Sequence, residues 1–233
     1  RLDLSTKRWV TRKGLHYQGE TPDGAQWFIA REQILKGSFD GVVRRDPTTG
    51  QWIRFNEDDG LMNQPVGLLV TRDGDLWAVG GHDSISAVAR FTPFSHKATK
   101  GSQGVSKEGS WSFRTYPYLS WNIRSNALLE ADNGDLWFSS EIRWRSDAGQ
   151  EGGLIQINPD RFESGDAIHH NPWEEVIAYG LGQTTDNTIW AGASRLRQFD
   201  GQWRAVTQPK GLTSYIHAIL GTPEGNLWIG TRA

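Results

Sequence analysis

The chain has 233 residues, no cysteine and a formal net charge of −2. The length suits one or two domains with a sizeable core, and we predict a single domain over residues 1–233. The lack of cysteine excludes disulfides and thiolate metal sites. A small net charge without blocks of like charge argues against a nucleic-acid partner. No apolar run reaches the ~18 residues of a membrane-spanning helix, so we predict no direct membrane insertion.

Five segments, taken in chain order, share one pattern: an apolar run, a polar turn, and a Trp just after the turn. They are ETPDGAQWFIA, VTRDGDLWAVG, EADNGDLWFSS, QTTDNTIWAGA and GTPEGNLWIGT. Asp-Gly and Asn-Gly supply the positive φ values of two-residue hairpins. The residues after each turn are β-prone and alternate with small ones. Each segment is therefore predicted to be a two-stranded hairpin that carries one of these residues: Trp27, Trp77, Trp137, Trp190 and Trp228.

A second series of Trp residues follows other polar turns, at Trp9, Trp52, Trp111 and Trp203, with Trp173 as a looser member. These turns come after β-prone segments such as GVVRRD, VARF, GLIQIN and LRQF. The repeating unit is therefore four antiparallel strands in roughly 40–50 residues, which is typical of a β-propeller blade. Because one blade cannot bury both of its faces alone, the Trp of each hairpin is predicted to fill the gap between successive blades.

The two ends of the chain complement each other. It begins with an outer strand pair, RLDLSTKRWV, and ends with an inner pair, HAILGTPEGNLWIGT. We therefore predict an all-β fold, a β-propeller of five four-stranded antiparallel blades closed by pairing of the N- and C-terminal strands. The alternative is a five-blade-equivalent fragment of a larger propeller. Residues 91–110 are polar and rich in Gly and Ser, and are predicted to form a long hairpin loop between outer strands.

The last repeat, GNLWIGT, and the stretch GVVRRDPTTGQWIRFNEDDGL followed by DGDLWAVG resemble the two-component-regulator propeller repeat. The resemblance is strong at residues 225–231 and 41–80, fair at 132–139 and weak at 186–193. It implies a periplasmic or extracellular sensor propeller of a bacterial signalling protein, often ahead of a membrane span and a histidine kinase, with a carbohydrate-type ligand. Family members usually carry more blades than this chain, which favours the fragment. Signalling would then need other domains of the same sensor protein as partners.

Catalytic and metal-binding motifs are absent from the sequence. We find no GxSxG, HExxH or P-loop, and no GxGxxG between a strand and a helix. His169 and His170 lie in a polar stretch and are predicted to be solvated loop residues. The Asp-Gly turns lack the ladder of oxygen ligands that calcium requires. We therefore predict no catalytic residue, no metal and no cofactor. The alternative is a propeller lyase or glycosidase that uses Glu32, Glu141, Asp83 and His82.

A ligand site is predicted by analogy with other propellers, at the face where loops lead into the first strand and out of the second strand of each blade. We call this face the mouth. Trp121 and Trp144 belong to neither Trp series and lie in these loops among polar residues. Such rings stack on sugar C–H faces while polar groups bind hydroxyls or a carboxylate. The predicted ligand-binding residues are Trp121, Asn122, Arg124, Glu141, Arg143, Trp144, Arg145, His16, Tyr215, His217, Arg31 and His82.

The predicted function is a non-catalytic binding or sensing module with a small-molecule or oligosaccharide ligand, located in the periplasm or outside the cell. Two other interpretations of the mouth stay open. Trp121 and Trp144 would instead fill gaps between loops, or they would contact another protein. A protein-interaction scaffold would present a broad apolar patch on one face.

Overall fold

The computed structural model describes residues 2–3, 8–9, 14–32, 39–93, 109–120, 123–145, 149–170, 178–212 and 214–231. These residues form β-strands joined by turns, with short 3₁₀ turns at Glu57–Asp59 and Pro159–Ser164. The strands begin with the N-terminal hairpin of β1 (Leu2–Asp3) and β2 (Arg8–Trp9). The described part of the chain is therefore all-β, as predicted.

Four antiparallel four-stranded sheets follow, each built from strands that are consecutive in the chain. We call them blades 1 to 4. Blade 1 contains β3 (Leu15–Glu20), β4 (Gln26–Glu32), β5 (Phe39–Arg45) and β6 (Trp52–Phe55). Blade 2 contains β7 (Gln64–Val70), β8 (Leu76–His82), β9 (Ile85–Pro93) and β10 (Gly109–Ser120). Blade 3 contains β11 (Ile123–Glu130), β12 (Leu136–Arg145), β13 (Gly149–Ile157) and β14 (Ile168–His170). Blade 4 contains β15 (Gly180–Gln183), β16 (Ile189–Gly192), β17 (Leu196–Phe199) and β18 (Trp203–Ala205).

The first strands of successive blades lie side by side. β3 contacts β7, β7 contacts β11, and β11 contacts β15. In one such contact, the Leu68 backbone N–H of β7 donates to Oε1 of Gln18 in β3 at 3.2 Å. The sheets therefore stand face to face around an axis lined by their first strands, which is the arrangement of a β-propeller.

A C-terminal hairpin of β19 (Ile216–Gly221) and β20 (Leu227–Thr231) continues this series, because β19 contacts β15 of blade 4. It forms a two-stranded sheet, and the N-terminal hairpin forms another. Joining the two hairpins into a fifth blade stays a prediction, as does the alternative of a larger propeller.

Three of the repeat Trp residues fill the gaps between blades. Trp27, Trp77 and Trp137 are each at most 2% exposed. The Trp27 ring lies 5.2 Å from that of Phe91 in blade 2, and the Trp137 ring lies 5.4 Å from that of Phe199 in blade 4. Each ring thus contacts the blade that follows its own, which confirms the packing role predicted for these three residues.

The same prediction is wrong for Trp228, which is 69% exposed. Ile219 faces the other way and packs with Leu196 of blade 4. Trp228 pairs with Leu220 across the hairpin, and both side chains are exposed. Trp190, one blade earlier, is partly buried. Trp228 is more exposed than Trp190 because no sheet among the described residues covers the outer face of the C-terminal hairpin.

The repeat turns differ from the predicted two-residue hairpins. In the first one, Gly24 N–H donates to Thr21 O at 2.8 Å, and only Gly24 takes a positive φ, of 79°. This is a type I turn followed by one left-handed residue. Asp23 keeps an ordinary φ and uses its carboxylate instead, which accepts hydrogen bonds from Ala25 N–H at 3.1 Å and from the Thr21 hydroxyl at 2.5 Å. The sequence pattern that specifies this turn is therefore a glycine at the position of positive φ and, just before it, a side chain that accepts hydrogen bonds.

The loop predicted at residues 91–110 does join two outer strands. β9 continues to Pro93 and β10 begins at Gly109, so the strands extend further into this stretch than predicted. Residues 94–108 lie outside the described residues.

The prediction that His169 and His170 lie in a loop is wrong, because both belong to β14, where His169 is exposed as predicted and His170 is partly buried. The His170 ring stacks on that of Trp137 at 4.8 Å, and its Nε2 lies 3.0 Å from Oε1 of Gln156. His170 thus takes the place that Phe55 takes beside Trp27 in blade 1. Burial lowers the pKa of His170, and the neighbouring His169 adds to the effect.

We expect this lowered pKa to make the protein less stable in mild acid. The neutral ring is favoured by folding, so its contribution is complete above the unfolded-state pKa of about 6.5 and is lost as the pH falls towards the folded-state value. His170→Phe keeps an aromatic ring beside Trp137 and removes the titrating group. Urea unfolding between pH 7.5 and 5 should therefore show a smaller loss of unfolding free energy in this variant than in the parent. Equal losses would contradict the assignment.

Candidate functional site

The predicted site residues with a described position lie at one end of their sheets. This end is defined by the starts of first strands, as at His16 and His217, and by the ends of second strands, as at His82. Tyr215 immediately precedes β19. The strands place the backbone of further predicted residues at the same end: Arg31, Arg124, Glu141, Arg143, Trp144 and Arg145. Trp121 and Asn122 lie outside the described residues.

One polar cluster at the mouth joins the loop before β7 to the turn after β8. The Asn63 side chain donates to Oδ1 of Asp83 at 2.9 Å, and its backbone N–H points to Nδ1 of His82 at 3.4 Å. His82 also lies between two carboxylates, with Nδ1 3.9 Å from Glu57 and Nε2 3.7 Å from Asp83. Asp83 and Ser84 both adopt positive φ, of 50° and 67°. They are the two central residues of the type I′ turn between β8 and β9, a turn that requires positive φ at both positions.

The cluster offers an imidazole, a carboxamide and two carboxylates, a set that suits ligand hydroxyl groups. Among the described residues, no group of three or more His, Asp or Glu side chains is arranged to hold a metal ion. Of these residues, the sequence predicts His82 for the ligand site and Asp83 for the enzyme alternative. Glu57 and Asn63 were missed as site residues because only the fold brings their loop to His82.

An aromatic group lies at the mouth between blade 4 and the C-terminal hairpin. The Tyr179 ring stacks on His217 at 5.0 Å and meets Tyr215 edge-on at 5.9 Å. Tyr215 is 48% exposed, so its ring is available to a ligand. The structure therefore brings together two of the predicted residues, Tyr215 and His217, and adds Tyr179.

A second aromatic group lies between the outermost strands of blades 2 and 3, β10 and β14. The Tyr118 ring lies 4.9 Å from that of His169, whose Nε2 is 2.8 Å from the Gly152 carbonyl oxygen. Burial raises the pKa of both Tyr118 and its neighbour Tyr116 above the ordinary tyrosine range. These residues were absent from the predicted site. The signal for them was the Tyr-Pro-Tyr run that ends β10.

His16 stands apart from both aromatic groups, exposed at the start of β3. Its neighbour Tyr17 is also exposed and meets Phe28 edge-on at 5.5 Å. The predicted residues with described side chains are thus spread over several blades around one end of the propeller, and His82, Tyr215 and His217 are the ones with close polar or aromatic neighbours.

Comparison with known families identifies one repeat directly. The family profile described as "Two component regulator propeller" matches residues 210–233. This match contains the C-terminal hairpin and confirms the resemblance drawn from GNLWIGT. No curated protein sequence matches the chain.

Comparison with solved structures supports the fold. The chain is similar to the extracellular domain assigned to the one-component system BT4673 from B. thetaiotaomicron, with a TM-score of 0.64 and 17% identity. That match covers 97% of this chain and 28% of the other, so the chain spans less than a third of its relative's length. It is also similar to the PQQ-bound form of an aldose sugar dehydrogenase from Streptomyces coelicolor, with a TM-score of 0.50, 13% identity, and coverage of 95% and 75%. At sequence identities of 17% and 13%, these similarities show the fold alone.

Proposed function

We propose that this chain is a non-catalytic ligand-sensing domain of a bacterial signal-transduction protein. It carries a two-component-regulator propeller repeat, works in the periplasm or outside the cell, and binds a carbohydrate. The repeat at residues 210–233 and the similarity to an extracellular domain of a one-component system support this class and location. Among the described residues, no helix has the length and apolar character needed to cross a bilayer.

The observation that carries the proposed ligand is the pairing of exposed aromatic rings with polar groups, at the mouth around Tyr215 and between the outermost strands around Tyr118. Tyr215 and Tyr118 are both exposed, and each lies within a group that contains a His ring. Tyr and His present an apolar face and a hydrogen-bonding edge, which together match the C–H faces and hydroxyls of a sugar. The His82 cluster adds carboxylate and carboxamide oxygens at the mouth.

A glycan array of the full chain, followed by titration of each hit, tests this proposal. We expect Tyr215→Ala and Tyr118→Ala each to weaken the bound glycan at least tenfold, because each removes a stacking ring, while the melting temperature stays unchanged. Trp228→Ala is the matched control, since Trp228 is an exposed aromatic on the side of the C-terminal hairpin. Absence of any glycan hit, or an equal loss in the control, would contradict the proposal.

The same titration includes the two Trp residues singled out by the sequence. If Trp121 and Trp144 belong to the ligand site, Trp121→Ala and Trp144→Ala weaken glycan binding and leave the melting temperature unchanged. A lower melting temperature with intact binding would assign them to loop packing.

An enzyme is the second candidate, and the position of His82 between Glu57 and Asp83 favours it. An imidazole beside a carboxylate is a general acid–base arrangement. Incubating the glycan hits with the parent protein and with His82→Ala decides between the two functions. Product formation that the variant loses would assign a lyase or glycosidase, whereas intact glycans would support the sensor.

A further inference from the structure

The contact between blades 2 and 3 has two halves. Leu69 and Trp77 of blade 2 are register partners on β7 and β8, and both belong to the apolar cluster between the two blades. Leu128 and Phe138 of blade 3 are register partners on β11 and β12 and belong to the same cluster. Trp77 and Phe138 are fully buried there. We call the first half the Leu–Trp pair and the second half the receiving pair.

The C-terminal hairpin carries a Leu–Trp pair in an exposed form. Leu220 and Trp228 are register partners on β19 and β20. They stand where Leu69 and Trp77 stand in blade 2. Their side chains are 64% and 69% exposed. Two large apolar side chains side by side on an open sheet face mark a contact surface.

Blade 1 carries a receiving pair that is also exposed. Tyr17 and Phe28 are register partners on β3 and β4. They stand where Leu128 and Phe138 stand in blade 3. Tyr17 is 55% exposed, and Phe28 is partly exposed. The Phe28 ring also lies 5.3 Å from that of Trp52 on β6, so three rings cross this face of blade 1 in a row.

The rest of this face is polar, unlike the buried face of blade 3. There, the register partners Leu136 and Ile157 are fully buried in the contact with blade 2. The equivalent pair in blade 1 is Gln26 and Arg45, whose side chains share a hydrogen bond of 3.2 Å. The Arg45 guanidinium also lies 6.0 Å from the Trp52 ring. Aromatic rings beside polar groups and an arginine are typical of contacts between separately folded partners.

We propose that this face of blade 1 binds the C-terminal hairpin of a second copy of the chain. The Leu220–Trp228 pair of one copy packs across the three rings of the next, as the Leu–Trp pair of blade 2 packs on blade 3. Because the two halves belong to the first blade and the last hairpin of one chain, the contact is head to tail and each copy uses both of its ends. The contact is separate from the mouth and does not rest on the function proposed there.

Sedimentation velocity of the full chain, at concentrations up to about 1 mM, tests the proposal. We expect dimers and longer assemblies that increase with concentration. Trp228→Ala and Tyr17→Ala should each weaken association about tenfold or more, because each removes one half of the contact. Both side chains are exposed in a single copy, so the melting temperature of dilute protein should stay unchanged.

Ile168→Ala is the matched control for these two variants. Ile168 is 57% exposed on β14 and belongs to neither half of the contact. We expect it to associate like the parent. A parent that stays monomeric over the whole concentration range, or an equal loss of association in the control, would overturn the proposal.

Mixing the two variants shows whether the contact is head to tail. Trp228→Ala keeps an intact blade 1, and Tyr17→Ala keeps an intact hairpin. An equimolar mixture should therefore form dimers that contain one copy of each variant and grow no further. A symmetric contact, in which the same face of both copies meets, would not be restored in this way. Absence of dimers in the mixture would overturn the head-to-tail assignment.

Cysteines at the same two positions distinguish a second copy from closure of one chain on itself, because the chain has no cysteine of its own. Treated with a short bis-maleimide, a mixture of Tyr17→Cys and Trp228→Cys should give a linked dimer. The double variant should give linked dimers and longer products at high concentration. A double variant that is linked only within single chains would show that the hairpin covers blade 1 of its own chain, and would overturn the proposal.

Discussion

Trp77→Ala is expected to lower the free energy of unfolding by about 3–5 kcal/mol. The Trp77 side chain is fully buried, meets the Phe162 ring edge-on at 4.9 Å, and lies beneath the Arg90 guanidinium at 5.3 Å. Truncation to Ala removes the burial of roughly 150–250 Å² of aromatic surface. It also leaves a cavity between blades 2 and 3 that the rigid sheets cannot close. Urea unfolding followed by circular dichroism measures the change.

Trp228→Ala is the matched control, because Trp228 follows the same kind of turn at the same position of the repeat. Its side chain is 69% exposed. We therefore expect a change within about 0.5 kcal/mol, as for other surface substitutions. If both variants lost the same unfolding free energy, the repeat Trp would not act through inter-blade packing.

Gly60→Ala is expected to cost about 2–5 kcal/mol for two independent reasons. Gly60 closes the 3₁₀ turn Glu57–Asp59 with a φ of 80°, a conformation that costs other residues about 1–2 kcal/mol. An added Cβ would also lie 2.1 Å from the Trp111 carbonyl oxygen, so the loop leading to the mouth must move away from blade 2. Such overpacking costs about 1–3 kcal/mol.

Gly134→Ala separates the two causes. Gly134 has a similar φ of 85°, but its added Cβ would meet nothing within 4 Å. We expect a loss of about 1 kcal/mol, from the backbone conformation alone. Equal losses at Gly60 and Gly134, measured by urea unfolding, would show that the contact between Gly60 and Trp111 does not restrain the loop.

The repeat made most of the fold predictable from the sequence. A turn glycine followed at a fixed distance by a Trp predicts a hairpin with one buried face. Blades 1 to 3 follow that pattern at Trp27, Trp77 and Trp137. The pattern did not predict the exposure of Trp228. Burial of a repeat Trp requires a neighbouring sheet, and the residues of the repeat do not specify whether one is present. The pattern failed at His170 because a histidine can replace the aromatic residue of an outer strand, as Phe55 shows beside Trp27.

The candidate site was less predictable, because its contacts join loops from different blades. His82 was singled out, but its neighbours Asn63 and Glu57 approach it only through the packing of blade 2 on the preceding loop.

Successive sheets stand face to face with their first strands adjacent around an axis. Disulfide formation between cysteines introduced at Gly19 and Val70 tests this arrangement, because the chain has no cysteine of its own. A Cβ at Gly19 in blade 1 would lie 3.4 Å from Cγ2 of Val70 in blade 2. We predict that the double variant loses its free thiols on mild oxidation of the folded protein, while each single variant forms no intramolecular bond. Thiols that stay free in the folded double variant and link only in urea would show that β3 and β7 are not adjacent.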